Sequence, residues 1–130
     1  MKIIVVDDEP IIADTLVEIL NGEGHNAVAV SNGDSAIRWA GMIKPDIVIS
    51  DVVMPGIDGV ETAKAILKSV PDCRIILFSG QIASVNLLDN ARKQGFSFEI
   101  LAKPVNPDIL LATINGKDLS ATKAKTKNDA

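Results

Sequence analysis

Lys2-Ile3-Ile4-Val5-Val6-Asp7-Asp8-Glu9-Pro10 is the stretch that decides the fold. Four consecutive apolar residues, without a polar alternate, read as a short strand covered on both faces. Pro10 then opens a helix, where a missing N–H would have had no partner anyway. Ile12, Leu16, Ile19 and Leu20 recur at helical spacing before Gly22, giving that helix one apolar stripe.

Working outward, the same strand-helix unit recurs five times. The strands are expected at residues 2–6, 26–30, 46–50, 74–79 and 99–102, several of them continuous apolar runs such as Ile47-Val48-Ile49 and Ile75-Ile76-Leu77-Phe78. The second helix starts near Asn32 and turns Ala36, Ile37, Ala40 and Ile43 inward. Asp58 and Glu61 have capping-box spacing for the third, which faces Val60, Ala63, Leu67 and Val70 inward and is stopped by Pro71. Ser84 is the expected cap of a fourth helix ending near Gly95, and Asn106-Pro107 begins a fifth ending near Gly116. Short links between such units require right-handed crossovers, so the fold class is α/β, a doubly wound five-stranded parallel sheet. Chemistry in such a sheet belongs at the carboxyl ends of the strands.

A chain of 130 residues holds one domain, and 47% hydrophobic with 23% charged residues supports a buried core. Net charge is −4, but residues 1–115 carry nine basic against fifteen acidic side chains, or −6. A direct nucleic-acid surface on that body is not expected. The single Cys73 cannot form an internal disulfide, no signal-type segment precedes Ile3, and apolar runs stop at about four residues, so the expectation is a cytoplasmic protein outside the membrane.

The sheet rim collects Asp7, Asp8 and Glu9 after the first strand, Asp51 after the third, Ser79 at the end of the fourth and Lys103 after the fifth. Three aspartates and one lysine leave −2, and crowded carboxylates raise one another's pKa values, so a divalent cation is the natural counter-charge. Oxygen-only ligands favour a hard ion, Mg2+, over zinc. Taken singly, each residue has a plainer role: Asp7, Asp8 or Asp51 as a helix cap, Ser79 in a turn, Lys103 as a surface charge.

Together, Val6-Asp7-Asp8-Glu9-Pro10, Asp51 followed by Met54-Pro55-Gly56-Ile57-Asp58-Gly59, Ser79-Gly80 and Lys103-Pro104 resemble the receiver domain of two-component response regulators, over roughly residues 2–115. The resemblance implies a flavodoxin-like (βα)5 fold with strand order 2-1-3-4-5. It implies that Asp51 is the phosphoacceptor, that Asp8 and Asp51 bind Mg2+ directly with Asp7 acting through water, and that the Val53 carbonyl completes the set. Lys103 and Ser79 would contact the phosphoryl oxygens, Gly80 would leave room for the group, and the Lys103-Pro104 bond would be cis. The donor would be a histidine kinase or a phosphotransfer protein, and the output a changed affinity for a downstream protein. The chain would promote its own phosphorylation and dephosphorylation without turning over a metabolite. A homodimer through the last helices stays open, since residues 106–115 carry no decisive interface pattern.

Several residues depart from the family pattern. Ile100 stands three before the lysine, where receivers carry an aromatic switch residue, and Phe98 is a candidate replacement. Val52 occupies the position of a frequent tryptophan, while Val53 and Gln81 match positions that tune hydrolysis. His25 reads as a turn residue, Cys73 as inert and Trp39 as packing beside the second helix's stripe. The lysine-rich stretch 116–130 is expected to be a disordered tail on a stand-alone receiver. Two rivals remain: a receiver-fold module that binds partners without phosphorylation, and an enzyme on a similar sheet. The acidic loop opposes a flavin phosphate, and the phosphatase pattern of two aspartates one residue apart is absent.

Overall fold

The computed structural model describes residues 1–80 and 83–116, without the side chains of Ala83 and Ser84. The expectations for Gln81, for a Ser84 side-chain cap and for residues 117–130 lie outside them. The elements alternate strictly: β1 (Lys2–Val6), α1 (Pro10–Gly22), β2 (Asn26–Val30), α2 (Gly33–Ile43), β3 (Ile47–Asp51), α3 (Gly59–Ser69), β4 (Arg74–Ser79), α4 (Ala83–Lys93), β5 (Glu99–Ala102) and α5 (Pro107–Ile114). All neighbouring strands pair in parallel, in the order β2-β1-β3-β4-β5.

The unbroken apolar runs have the predicted consequence, because alternate side chains of each strand enter different cores. Ile4, Val6, Val48, Ile75 and Leu77 pack with Ala36 and Ala40 of α2 and Val60, Ala63 and Ile66 of α3. Ile3, Val5, Ile47, Ile49, Ile76 and Phe78 pack with Ala13, Leu16 and Leu20 of α1 and Leu110 and Ile114 of α5. β3 sits one residue later than the sequence suggests. Asp46 leads into it with its carboxylate accepting from the Lys2 N–H at 2.8 Å, and Asp51 becomes the strand's last residue.

The helix starts follow the capping residues. Asn32 accepts from the Ser35 N–H at 2.8 Å, Asp58 from the Glu61 N–H at 2.9 Å, and Asn106 from the Asp108 and Ile109 N–H groups at 2.9 and 3.3 Å. The return half of the capping box is replaced, since the Glu61 carboxylate takes Lys64 Nζ at 3.0 Å. α4 starts at Ala83, one residue before Ser84. Trp39 departs from its expected packing role and is exposed, because α2 buries the small residues Gly33, Ala36 and Ala40 instead.

At the amino edge of the sheet, Arg74 forms a two-pronged pair with Glu99, Nε to Oε2 and Nη2 to Oε1 both at 2.6 Å. The same guanidinium donates to the carbonyls of Thr113 at 2.5 Å and Ile114 at 3.0 Å. It therefore ties β4, β5 and the last turn of α5 together where the helix carbonyls have no partners of their own.

The link from β3 to α3 depends on one glycine. Gly59 donates its N–H to the Val52 carbonyl at 2.8 Å, and a Cβ on it would lie 2.0 Å from the Asp51 carbonyl oxygen. Backbone cannot yield as a side-chain tip does. Gly59→Ala is expected to destabilise the protein by about 1–3 kcal/mol in urea unfolding, through overpacking at this junction.

Cys73 is buried, and burial, with the field of Asp46 behind it, pushes its thiol up from 9.0 to about 11, against a smaller opposing backbone hydrogen bond. A thiol raised in the folded state leaves its contribution to stability intact below the unfolded pKa, and that contribution is lost as pH rises from about 9 towards about 11. At pH 8 the native thiol should react with an alkylating reagent on the order of a hundredfold more slowly than in urea. Equal rates in the two solvents would refute the protection.

Candidate functional site

The site lies at the carboxyl edge of the sheet because β1 and β3 are neighbours in register, with Val6 opposite Ser50. The residues that follow, Asp7 and Asp51, therefore stand side by side. Asp7 is 1% exposed and Asp51 6% exposed, whereas Asp8 is open to solvent. One carboxylate oxygen from each of the three lies within 4.8 Å of those of the other two.

Each carboxylate has a distinct environment. Asp7 Oδ1 accepts from the Glu9 N–H at 2.9 Å, while its Oδ2 is buried with no hydrogen-bond partner. Burial is the main reason its pKa is raised; the Glu9 N–H opposes the rise, and the charge of Asp51 adds to it. Asp51 Oδ1 accepts from the Val53 N–H at 3.3 Å, and Oδ2 accepts from Lys103 Nζ at 2.6 Å. Burial works against charge on Lys103, yet its pKa is raised, because the hydrogen bond and field of Asp51, with Asp7 and Glu9 behind them, outweigh desolvation.

Lys103 reaches Asp51 from the far side of β4. The Lys103-Pro104 peptide bond is cis, and the Lys103 N–H donates to the Ser79 carbonyl at 3.3 Å. Gly80 makes this path sterically available, since a Cβ there would lie 2.6 Å from the lysine's own Cβ. The lysine stem passes directly over Gly80. Ser79 is half-buried at the end of β4, next to this crossing.

The structure thus brings Asp7, Asp8, Asp51, Val53, Ser79 and Lys103 to one rim, and it separates Phe98 from them. Phe98 precedes β5, at the opposite end of that strand from Lys103, and stacks on Phe96 with ring centroids 5.8 Å apart. It lines a small cleft with Ile100 and with Leu88 and Arg92 of α4. Ile100 itself is 43% exposed.

Two features of the site were not read from the sequence. Glu9 contributes its backbone N–H to Asp7, a role that leaves no trace in residue type. An apolar groove of about 510 Å³ runs beside Lys103, between Ile11, Ile12, Thr15 and Ile19 of α1 and Pro104, Val105 and Pro107. The exposed Ile11, off the buried stripe of α1, was its only sequence signal.

The orphaned Asp7 Oδ2 and the all-oxygen donor set of Asp7, Asp8 and Asp51 fit a hard divalent cation such as Mg2+. Among the described residues, no helix is long and apolar enough to cross a membrane.

Comparison with known proteins gives a consistent result. A family model for the response regulator receiver domain matches residues 3–115. The protein PilH of Pseudomonas aeruginosa is 31% identical over 120 residues, covering 88% of this chain and 94% of its own length. The DNA-binding response regulator MtrA of Mycolicibacterium smegmatis is 25% identical over 116 residues, 89% of this chain, and the chain spans only 50% of MtrA. Among solved structures, a response regulator receiver domain protein of Clostridium thermocellum superposes with a TM-score of 0.79 at 30% identity, over 88% of this chain and 91% of that one. The chemotaxis protein CheY4 of Vibrio cholerae gives 0.78 at 26% identity, over 88% and 96%. With its parallel 2-1-3-4-5 sheet and its rim of aspartates facing a lysine, the chain belongs to the response regulator receiver domain family of two-component systems.

Proposed function

We propose that the chain is a phosphorylation switch in which Asp51 accepts a phosphoryl group from a histidine kinase or a phosphotransfer protein. The observation that carries this reading is the Lys103–Asp51 contact of 2.6 Å beside the gathered oxygens of Asp7 and Asp8. A carboxylate is a competent nucleophile, and phosphoryl transfer asks chiefly for alignment and for neutralisation of charge on the moving oxygens. An Asp51 oxygen forms the new O–P bond while the P–N bond of the donor histidine breaks, its electron pair returning to the ring nitrogen.

Asp8 and Asp51 would hold Mg2+ directly, with Asp7 acting through water and the Val53 carbonyl completing the set. The bound ion supplies counter-charge for the phosphoryl oxygens. Lys103 then exchanges its Asp51 oxygen for a phosphoryl oxygen, the Val53 N–H holds the remaining carboxylate oxygen, and Ser79 donates its hydroxyl to the group. The pairing of Lys103 with Asp51 before transfer keeps the ammonium aimed at the place where new charge arrives. The apolar groove beside Lys103 supports a protein donor, since it offers an apolar surface next to the lysine that pairs with the reacting carboxylate.

The output is a changed affinity for a downstream protein, read on α4, β5 and α5, in a cytoplasmic setting. Direct contact with nucleic acid is not proposed for residues 1–115, given their charge of −6. Exposed Ile100 favours a second reading, a partner-binding module that works without phosphate.

Intact mass after incubation with a small acyl phosphate separates the two. The natural protein should gain one phosphoryl mass only when Mg2+ is present, and Asp51→Asn should gain none. Failure of the natural protein to gain mass from acyl phosphate and from purified histidine kinases alike would favour the phosphate-independent module. A second expectation concerns lifetime, because the apolar Val53 side chain cannot orient water against the acyl phosphate. Val53→Asn should hydrolyse faster, by on the order of threefold to tenfold, when loss of phosphoryl mass is followed in time. An equal or slower rate in the variant would overturn this role for Val53.

A further inference from the structure

Position 100 carries Ile in place of an aromatic residue, and the contacts around α4 point to a further device. Lys64 of α3 is mostly covered, its side chain 16% exposed, and it is saturated with partners. Its Nζ donates to Glu61 Oε2 at 3.0 Å and to Gln94 Oε1, and stands 5.5 Å from the centre of the Phe96 ring. Gln94 and Phe96 belong to the turn that ends α4, and that turn is closed by its own backbone. The Gly95 N–H donates to Arg92 at 3.0 Å, and the Phe96 N–H to Ala91 at 2.9 Å. Ala91 is buried in the core shared with α3, whereas Val85, near the other end of α4, is exposed.

We propose that Lys64 pins the carboxyl end of α4 to α3, so that α4 responds to the site by pivoting about residues 91–96 while its amino half moves. Lys64 is a positioning residue: it touches none of the reacting groups, and it acts by fixing which end of the helix is the fulcrum. The proposal deepens the phosphorylation reading and rests on it for the signal, but the pin itself is a property of the unmodified protein.

Hydrogen exchange by mass spectrometry, resolved to residues 85–90 and 91–98, tests it on the natural protein, Lys64→Met and Lys64→Arg. Without a phosphodonor, residues 91–98 of the natural protein should exchange at least about tenfold more slowly than 85–90. Lys64→Met should erase that contrast, and Lys64→Arg, which keeps the charge over Phe96, should preserve it. A contrast that survives in Lys64→Met overturns the pin whatever happens at Asp51. With acyl phosphate and Mg2+, the natural protein should change its exchange in 85–90 only, and Lys64→Met in both segments. A change spread evenly over 85–98 of the natural protein overturns the pivot. Intact mass on the same samples reports Asp51 separately, so absence of a phosphoryl gain counts against the phosphorylation reading while the exchange without donor still decides the pin.

Discussion

The parallel register of β1 and β3 forces Asp7 and Asp51 into one buried corner, and the rest of the site answers that crowding of like charge. Two full charges within 4.8 Å repel by roughly 3 kcal/mol even at an effective dielectric constant of about 20. One ammonium, Lys103, is delivered from two strands away to offset it, and the route needs Gly80 bare beneath its stem. The Glu9 and Val53 amides add two oriented dipoles. What remains uncompensated is the Asp7 oxygen without a partner, which is the local feature that calls for a cation.

Much of this was legible in the sequence because its causes are local. Continuous apolar runs mark strands buried on both faces, and β1, β2, β4 and β5 contain those runs and span the ranges predicted from them. Asn32, Asp58 and Asn106 cap helices by chemistry that operates within three residues. The site residues were legible for a different reason, since each stands at or within two residues of a strand's carboxyl end, and parallel strands end on one edge. Side-chain reach across the fold was not legible. Lys64 meets Gln94 thirty residues away and Arg74 meets Glu99 twenty-five away, and no spacing rule connects such pairs. Trp39 was misjudged because it lies beside the core stripe of α2 and was given a share in its packing, whereas the helix packs through small residues that bring its backbone close.

The two edges of the sheet divide the work. At the amino edge, Arg74 binds strand carboxylate and helix carbonyls at once, a contact that nothing in the phosphorylation reading asks to break. At the carboxyl edge, Lys103 and Asp51 form a pair that the same reading requires to rearrange. α5 consequently has a fixed last turn, while its Asn106 cap lies close to the Lys103-Pro104 bend.

Trp39 is the only tryptophan of a chain that has no tyrosine, and its ring borders a groove also lined by Asp7, Pro10 and Ser31. Emission excited at ~295 nm, where only tryptophan absorbs, therefore originates at a single place beside the acidic corner. The chain carries its own optical gauge of that flank, placed in the same groove as Asp7 and needing no label.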